Sequence, residues 1–187
     1  MPFHRLSLFI ALLAVASGCG SGKKGPDRKE EEKIAKAASE IQSAAMRAGK
    51  AERFRKDGSR ERLWLVEWES AELNYNEAGE FGGSMAGVKG EFFQKGESAS
   101  SFRATKASAK LGEDGLQLTG GIEVTAKNAV SSLRCDKLAW NPSKNRLEAS
   151  GKVTIETDTY VLGPFEVIYA SPKLDEVGTP DGFRQLK

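Results

Sequence analysis

The chain has 187 residues, 39% hydrophobic and 29% charged, with a formal net charge of +2. Those figures suit one globular domain with appendages, and they give no global charge that would draw nucleic acid. The charge is uneven, because residues 23–62 carry 13 Lys and Arg against 8 Asp and Glu while residues 63–187 carry 14 against 18; a basic neck precedes a mildly acidic domain.

Met1 to Cys19 reads as a secretory signal, with His4-Arg5 as a short basic flank and an apolar run from Leu6 to Ala16. That run is too short for a bilayer, which needs about 20 residues. It ends in Ala16-Ser17-Gly18-Cys19, similar to the bacterial lipobox, in which small residues precede a cysteine that becomes diacylated. The alternative is an ordinary cleaved signal with a cysteine nearby. Two acyl chains on Cys19 would hold the protein stably at a membrane. Only Cys135 would then remain free, and the domain would stand without a disulfide.

From Gly20 to Pro26 the composition is that of a tether. Asp27 to about Phe54 is rich in Ala, Glu, Lys, Arg and Gln and predicts a helix by propensity, with Asp27 as N-cap. Its apolar stripe of Ile34, Ala38, Ile41, Ala45 and Ala48 is narrow, so it buries little. Either a docking stalk or a solvated linker fits.

From residue 62 onward the periodicity changes to two. Leu116, Leu118, Ile122 and Val124 alternate with polar residues, and Leu147, Ala149, Val153 and Ile155 repeat that half-motif. A second half-motif has apolar or small residues at relative positions 1, 3, 6 and 8. It occurs at Trp68, Ser70, Leu73, Tyr75; at Phe102, Ala104, Ala107, Ala109; at Leu133, Cys135, Leu138, Trp140; and at Leu162, Pro164, Val167, Tyr169. The spacing is strand alternation interrupted by one extra residue, as a bulge requires. Turn residues follow each copy, so one copy is a strand pair about 30 residues long, and such units bury a core only by stacking. Phe81 to Gln94 fits least, being rich in glycine. These patterns predict an all-β domain over residues 62–178, as two antiparallel sheets folded face to face along a line. A signal (1–19) and a tether and helical neck (20–61) precede it, and a C-terminal tail (179–187) follows.

The order Leu116-x-Leu118-x-Gly120-x-Ile122-x-Val124, Leu133-x-Cys135-x-x-Leu138-x-Trp140-Asn141 and Gly151-x-Val153-x-Ile155 resembles the LptC family of lipopolysaccharide export proteins and the wider OstA-like superfamily that includes LptA. The stretch Leu63-Trp64-Leu65-Val66-Glu67-Trp68 before Ala71-x-Leu73-x-Tyr75 resembles the LptC opening strand. The likeness covers about residues 62–178. It implies an open, twisted, V-shaped antiparallel β-jellyroll whose interior is a groove for lipopolysaccharide acyl chains. It also implies a relay at the periplasmic side of the inner membrane, from an ABC transporter to an LptA-like bridge protein. Where that family has a transmembrane helix, this chain has its lipobox.

The inward apolar residues admit a second reading, a filled and inert sandwich core of a structural or adaptor lipoprotein. Several inward positions are small, however, which would leave room for flexible chains. With the resemblance, the groove residues are Trp68, Leu73, Tyr75, Phe102, Leu118, Ile122, Val124, Leu133, Leu138, Trp140, Val153, Ile155, Val167 and Tyr169. The one histidine is His4, so the mature domain would have no His-based metal site and no Ser-His-Asp triad. No glycine-rich loop leads from a strand into a helix to hold phosphate. Neither an enzyme nor a cofactor is expected. The expected partners are lipid, a transporter, a bridge protein and the anchoring membrane.

Overall fold

The computed structural model describes residues 42–76, 80–127 and 131–185. The signal, Cys19, the tether and the neck up to residue 41 lie outside them. The described residues form strands β1 (Gln42–Phe54), β2 (Arg62–Tyr75), β3 (Phe81–Gln94), β4 (Glu97–Ala109), β5 (Leu116–Ala126), β6 (Ser131–Asn141), β7 (Arg146–Thr157), β8 (Val161–Ala170) and β9 (Val177–Gly178), then a short helix α1 (Pro180–Gln185). The strands make one antiparallel sheet in chain order, β1 to β9.

The helical expectation fails over residues 42–54, which are β1, so the sheet also takes in residues outside the expected 62–178. Ala, Glu, Lys and Arg favour a helix only while no partner competes. Here β1 pairs with β2 from Gln42 opposite Tyr75 to Phe54 opposite Arg62. The ladder satisfies the backbone and packs Ala51 against the core, and tertiary pairing overrides propensity. Gly49 permits the close approach: a Cβ there would sit 2.7 Å from Cζ2 of Trp68.

The bulges implied by the 1-3-6-8 spacing line up across the sheet. Register partners run Arg47–Ser70, Ser70–Ala86, Ala86–Lys106, Lys106–Thr119, Thr119–Lys137, Lys137–Ser150 and Ser150–Val167. The register shifts beside this line at Arg103/Lys106, Thr119/Ile122, Arg134/Lys137 and Ser150/Val153. Positive φ at Gly87, Gly120, Gly121 and Gly151 falls on the same line. This seam divides every long strand into an upper half, holding Phe92 and Leu133, and a lower half, holding Leu138 and Trp140. From β4 to β8 the extra residues fall here, and along the whole sheet the apolar side chains face the same interior on both sides of the seam.

The sheet folds over along that seam. In a flat sheet β3 and β6 would lie roughly 14 Å apart, three spacings of about 4.8 Å. Yet the rings of Phe92 (upper, β3) and Trp140 (lower, β6) have centroids 5.7 Å apart. Trp64 (upper) meets Phe81 (lower) edge-on at 5.9 Å. One hydrophobic cluster from Leu63 to Leu174 fills the space between the halves. The expected pair of facing sheets is thus one continuous sheet. Its outer face is polar, with Arg103, Glu123, Arg134 and Glu156 in a cross-strand ladder of ion pairs.

Candidate functional site

The interior between the halves is the feature to which the sequence pattern pointed. Of the expected lining residues, Trp68, Leu73, Phe102, Leu118, Ile122, Val124, Leu133, Leu138, Trp140, Val153 and Ile155 all belong to its one buried cluster. Tyr75, Val167 and Tyr169 do not. Tyr75 and Val167 are exposed, and Tyr169 lies on the outer side, with the Arg146 guanidinium 4.0 Å above its ring and Phe183 edge-on at 6.2 Å.

Two of the four copies face inward as their spacing predicts, and two are displaced. The second copy (Phe102, Ala104, Ala107, Ala109) and the third (Leu133, Cys135, Leu138, Trp140) face inward throughout. In the first, the inward set is Val66, Trp68, Ala71 and Leu73, two residues earlier, and Ser70 faces out. In the fourth, Phe165, Ile168 and Ala170 face the core, one residue later than Pro164, Val167 and Tyr169. The cause is register: buried Ala149 pairs with Ile168 and buried Val153 with Phe165. Met85 and Phe92 also line the interior. The glycine-rich β3 masked them, because its apolar residues are spaced by three and four instead of two.

The lips of the fold, where upper strand ends meet lower ones, are joined by polar contacts. On the β1 side Arg53, 8% exposed, donates from Nε to Oδ1 of Asp114 at 3.0 Å and also reaches the Glu113 carbonyl. Lys56 pairs with Glu80 and donates to the Gly112 carbonyl at 3.0 Å. Trp64 Nε1 donates to the Asp114 carbonyl at 2.8 Å. Hydrogen bonds from Lys56 and Asn76 hold the Glu80 carboxyl below its ordinary range. On the far side, Leu174 enters the core from the β8–β9 turn at a φ of 56°. Lys173 beside it lies 3.9 Å from Glu97.

Inside, most walls are aliphatic or aromatic. Phe92 packs on Phe102 with centroids 4.6 Å apart. Cys135 sits at the seam, and burial pushes its thiol from an ordinary 9.0 up to about 12. Three polar groups are sealed in this interior without a hydrogen-bond partner among the described residues: Trp68 Nε1, Trp140 Nε1 and Ser100 Oγ. Two clefts reach this cluster from outside, at Leu116 and Trp140 in one and at Trp68, Val88 and Ala104 in the other. One of about 400 Å³ lies by the lower lip, bounded by Arg55, Lys110, Glu113 and Ser143, and one of about 720 Å³ lies over the seam near Lys50, Glu67 and Lys89. Both are bordered by charged, outward-facing side chains.

Among the described residues no group of three or more His, Cys, Asp or Glu could hold a metal ion. No helix among them is long and apolar enough to cross a membrane. Compared with known families and with curated proteins, the chain matches no family model and no curated sequence.

Proposed function

We propose that this protein is a periplasmic lipid-transfer component similar to LptC, with the folded sheet serving as a V-shaped jellyroll that takes lipopolysaccharide acyl chains between its halves. The observation that carries the reading is the seam: a row of bulges that turns one long sheet into two facing apolar walls. In an aligned sandwich the two walls are separate sheets, whereas here one sheet supplies both, creased by bulges from β4 to β8. Polar contacts between the lips can exchange with water when the halves part, whereas a sealed apolar rim would resist opening. In this reading Cys19 anchors the chain, an inner-membrane ABC transporter supplies the lipid, and an LptA-like bridge protein receives it. The protein itself carries no catalysis.

Partners would add to the sheet's two edges. The first edge is β1, since Leu63–Trp68 lies between β1 and β3 and offers no free edge. At the other end, β9 pairs only with Tyr169 and Ala170. The stretch of β8 before them carries exposed Val161, Leu162 and Val167, and it is the surface for the receiving protein.

The second reading, an adaptor lipoprotein with a filled core, draws on the tightness of the interior, where Val66, Val124, Leu133 and Val153 have no exposed surface. A photo-crosslinker in place of Val153, with one in place of outward Arg134 as control, separates the two. Lipid adducts at 153 and none at 134 are expected for transfer; no adduct at either, under conditions that label a known carrier, would leave the adaptor reading standing.

A further inference from the structure

The three unpartnered donors in the interior define what kind of lipid it takes. Trp140 is 3% exposed, Trp68 is 6% and Ser100 is 0%. None of their side-chain polar atoms makes a hydrogen bond among the described residues. Buried polar groups in folded proteins are nearly always paired, so these three, which lie on core residues unlike the similarly unpartnered Arg62 Nε and Gln94 Oε1, require a reason. Two of them share a neighbourhood: Phe92 is in ring contact with Trp140 and is the cross-strand partner of Ser100. The third is at the seam, where a Cβ at Gly49 would lie 3.1 Å from Trp68 Nε1.

An indole N–H is a donor only, so two of the three groups can be satisfied only by an acceptor. That acceptor has to be neutral. Arg53, the buried cation nearest the lips, is already paired with Asp114, and an unpaired carboxylate in an apolar interior is strongly disfavoured. We propose, building on the lipid-transfer reading, that the interior selects ester- or amide-linked acyl chains. Their carbonyl oxygens accept from Trp140 Nε1, Trp68 Nε1 and the Ser100 hydroxyl. A bare hydrocarbon or ether-linked chain leaves those donors unpaired.

The test uses the full chain and vesicles holding equal amounts of two phosphatidylglycerols, one with ester-linked chains and one with ether-linked chains of the same length. Lipid recovered with the protein is counted by mass spectrometry. The ester lipid is expected to be enriched about fivefold, the worth of one ordinary hydrogen bond. In Trp140→Phe the aromatic area stays and the donor goes, so the enrichment drops toward one while ether-lipid binding holds; Ser100→Ala gives a second, smaller decrease. Equal recovery of both lipids by the unaltered protein overturns the acyl selectivity and leaves lipid transfer intact. Recovery of neither overturns both. The unaltered protein alone decides the matter if a variant does not fold.

Discussion

At the scale of single residues, Cys135 reports whether the interior stays sealed from solvent. The folded protein holds its thiol proton more tightly than the unfolded chain, with a pKa near 12 against an ordinary 9.0. Its contribution to stability is therefore complete below pH about 9 and is lost as the pH rises from there toward 12. Denaturant unfolding followed between pH 8 and 11 should show a decline that is shallower in Cys135→Ala. At pH 8 a thiol reagent should leave Cys135 untouched until the protein is unfolded, as mass spectrometry of the labelled peptide would show. Labelling at the rate of a free thiol would mean that the interior is open to solvent in the resting protein. The inward placement of Cys135 was legible in the sequence, because its neighbours Arg134, Asp136 and Lys137 are charged while Leu133 and Leu138 flank them. In β8 the same reasoning misled. Leu162, Val167 and Tyr169 are apolar, as are Phe165, Ile168 and Ala170, and alternation cannot say which of two apolar sets faces inward.

At the scale of elements, β1 is where local signals and the fold disagree. The composition of Gln42–Phe54 favours a helix; its partner β2 begins eight residues later and makes it a strand. The strand is structural as well as peripheral. It brings Arg53 to Asp114, covers Trp68 at Gly49 and supplies Ala51 to the core. A chain beginning at residue 62 should therefore unfold at a lower temperature than one beginning at residue 37, by several degrees for each kcal/mol lost at this size. It should also show red-shifted tryptophan emission from the uncovered Trp68. Equal melting temperatures would make β1 an ornament, with the domain starting at β2 after all. The seam, by contrast, was readable from sequence as a spacing, since a bulge needs one residue more than alternation supplies. Its alignment across all the long strands was not, because register depends on turns of different length.

At the scale of the whole molecule, opening and closing should be set at the lips, because the two walls are continuous through the seam and part only where Arg53, Lys56 and Trp64 reach across to Glu80 and the 112–114 turn. The Lys56 and Glu80 side chains are both partly exposed, so salt screens their attraction, with a Debye length of about 10 Å at 0.1 M. Acid weakens it as well. Since the Glu80 carboxyl is held below its ordinary 4.5, its part in the clasp is intact above that pH and lost as the pH falls through the lowered value. If lipid passes between these lips, uptake from vesicles should quicken about two- to threefold in Lys56→Ala, in keeping with the small worth of an exposed pair. Raised salt should produce a similar gain in the unaltered protein and little further gain in the variant. The amount of lipid bound at equilibrium should hardly change, because Lys56 touches neither wall of the interior. Stopped-flow transfer of a fluorescent phospholipid measures both quantities. Rates indifferent to Lys56→Ala and to salt would move the passage to the other lip, where Leu174 and the β8–β9 turn close the fold.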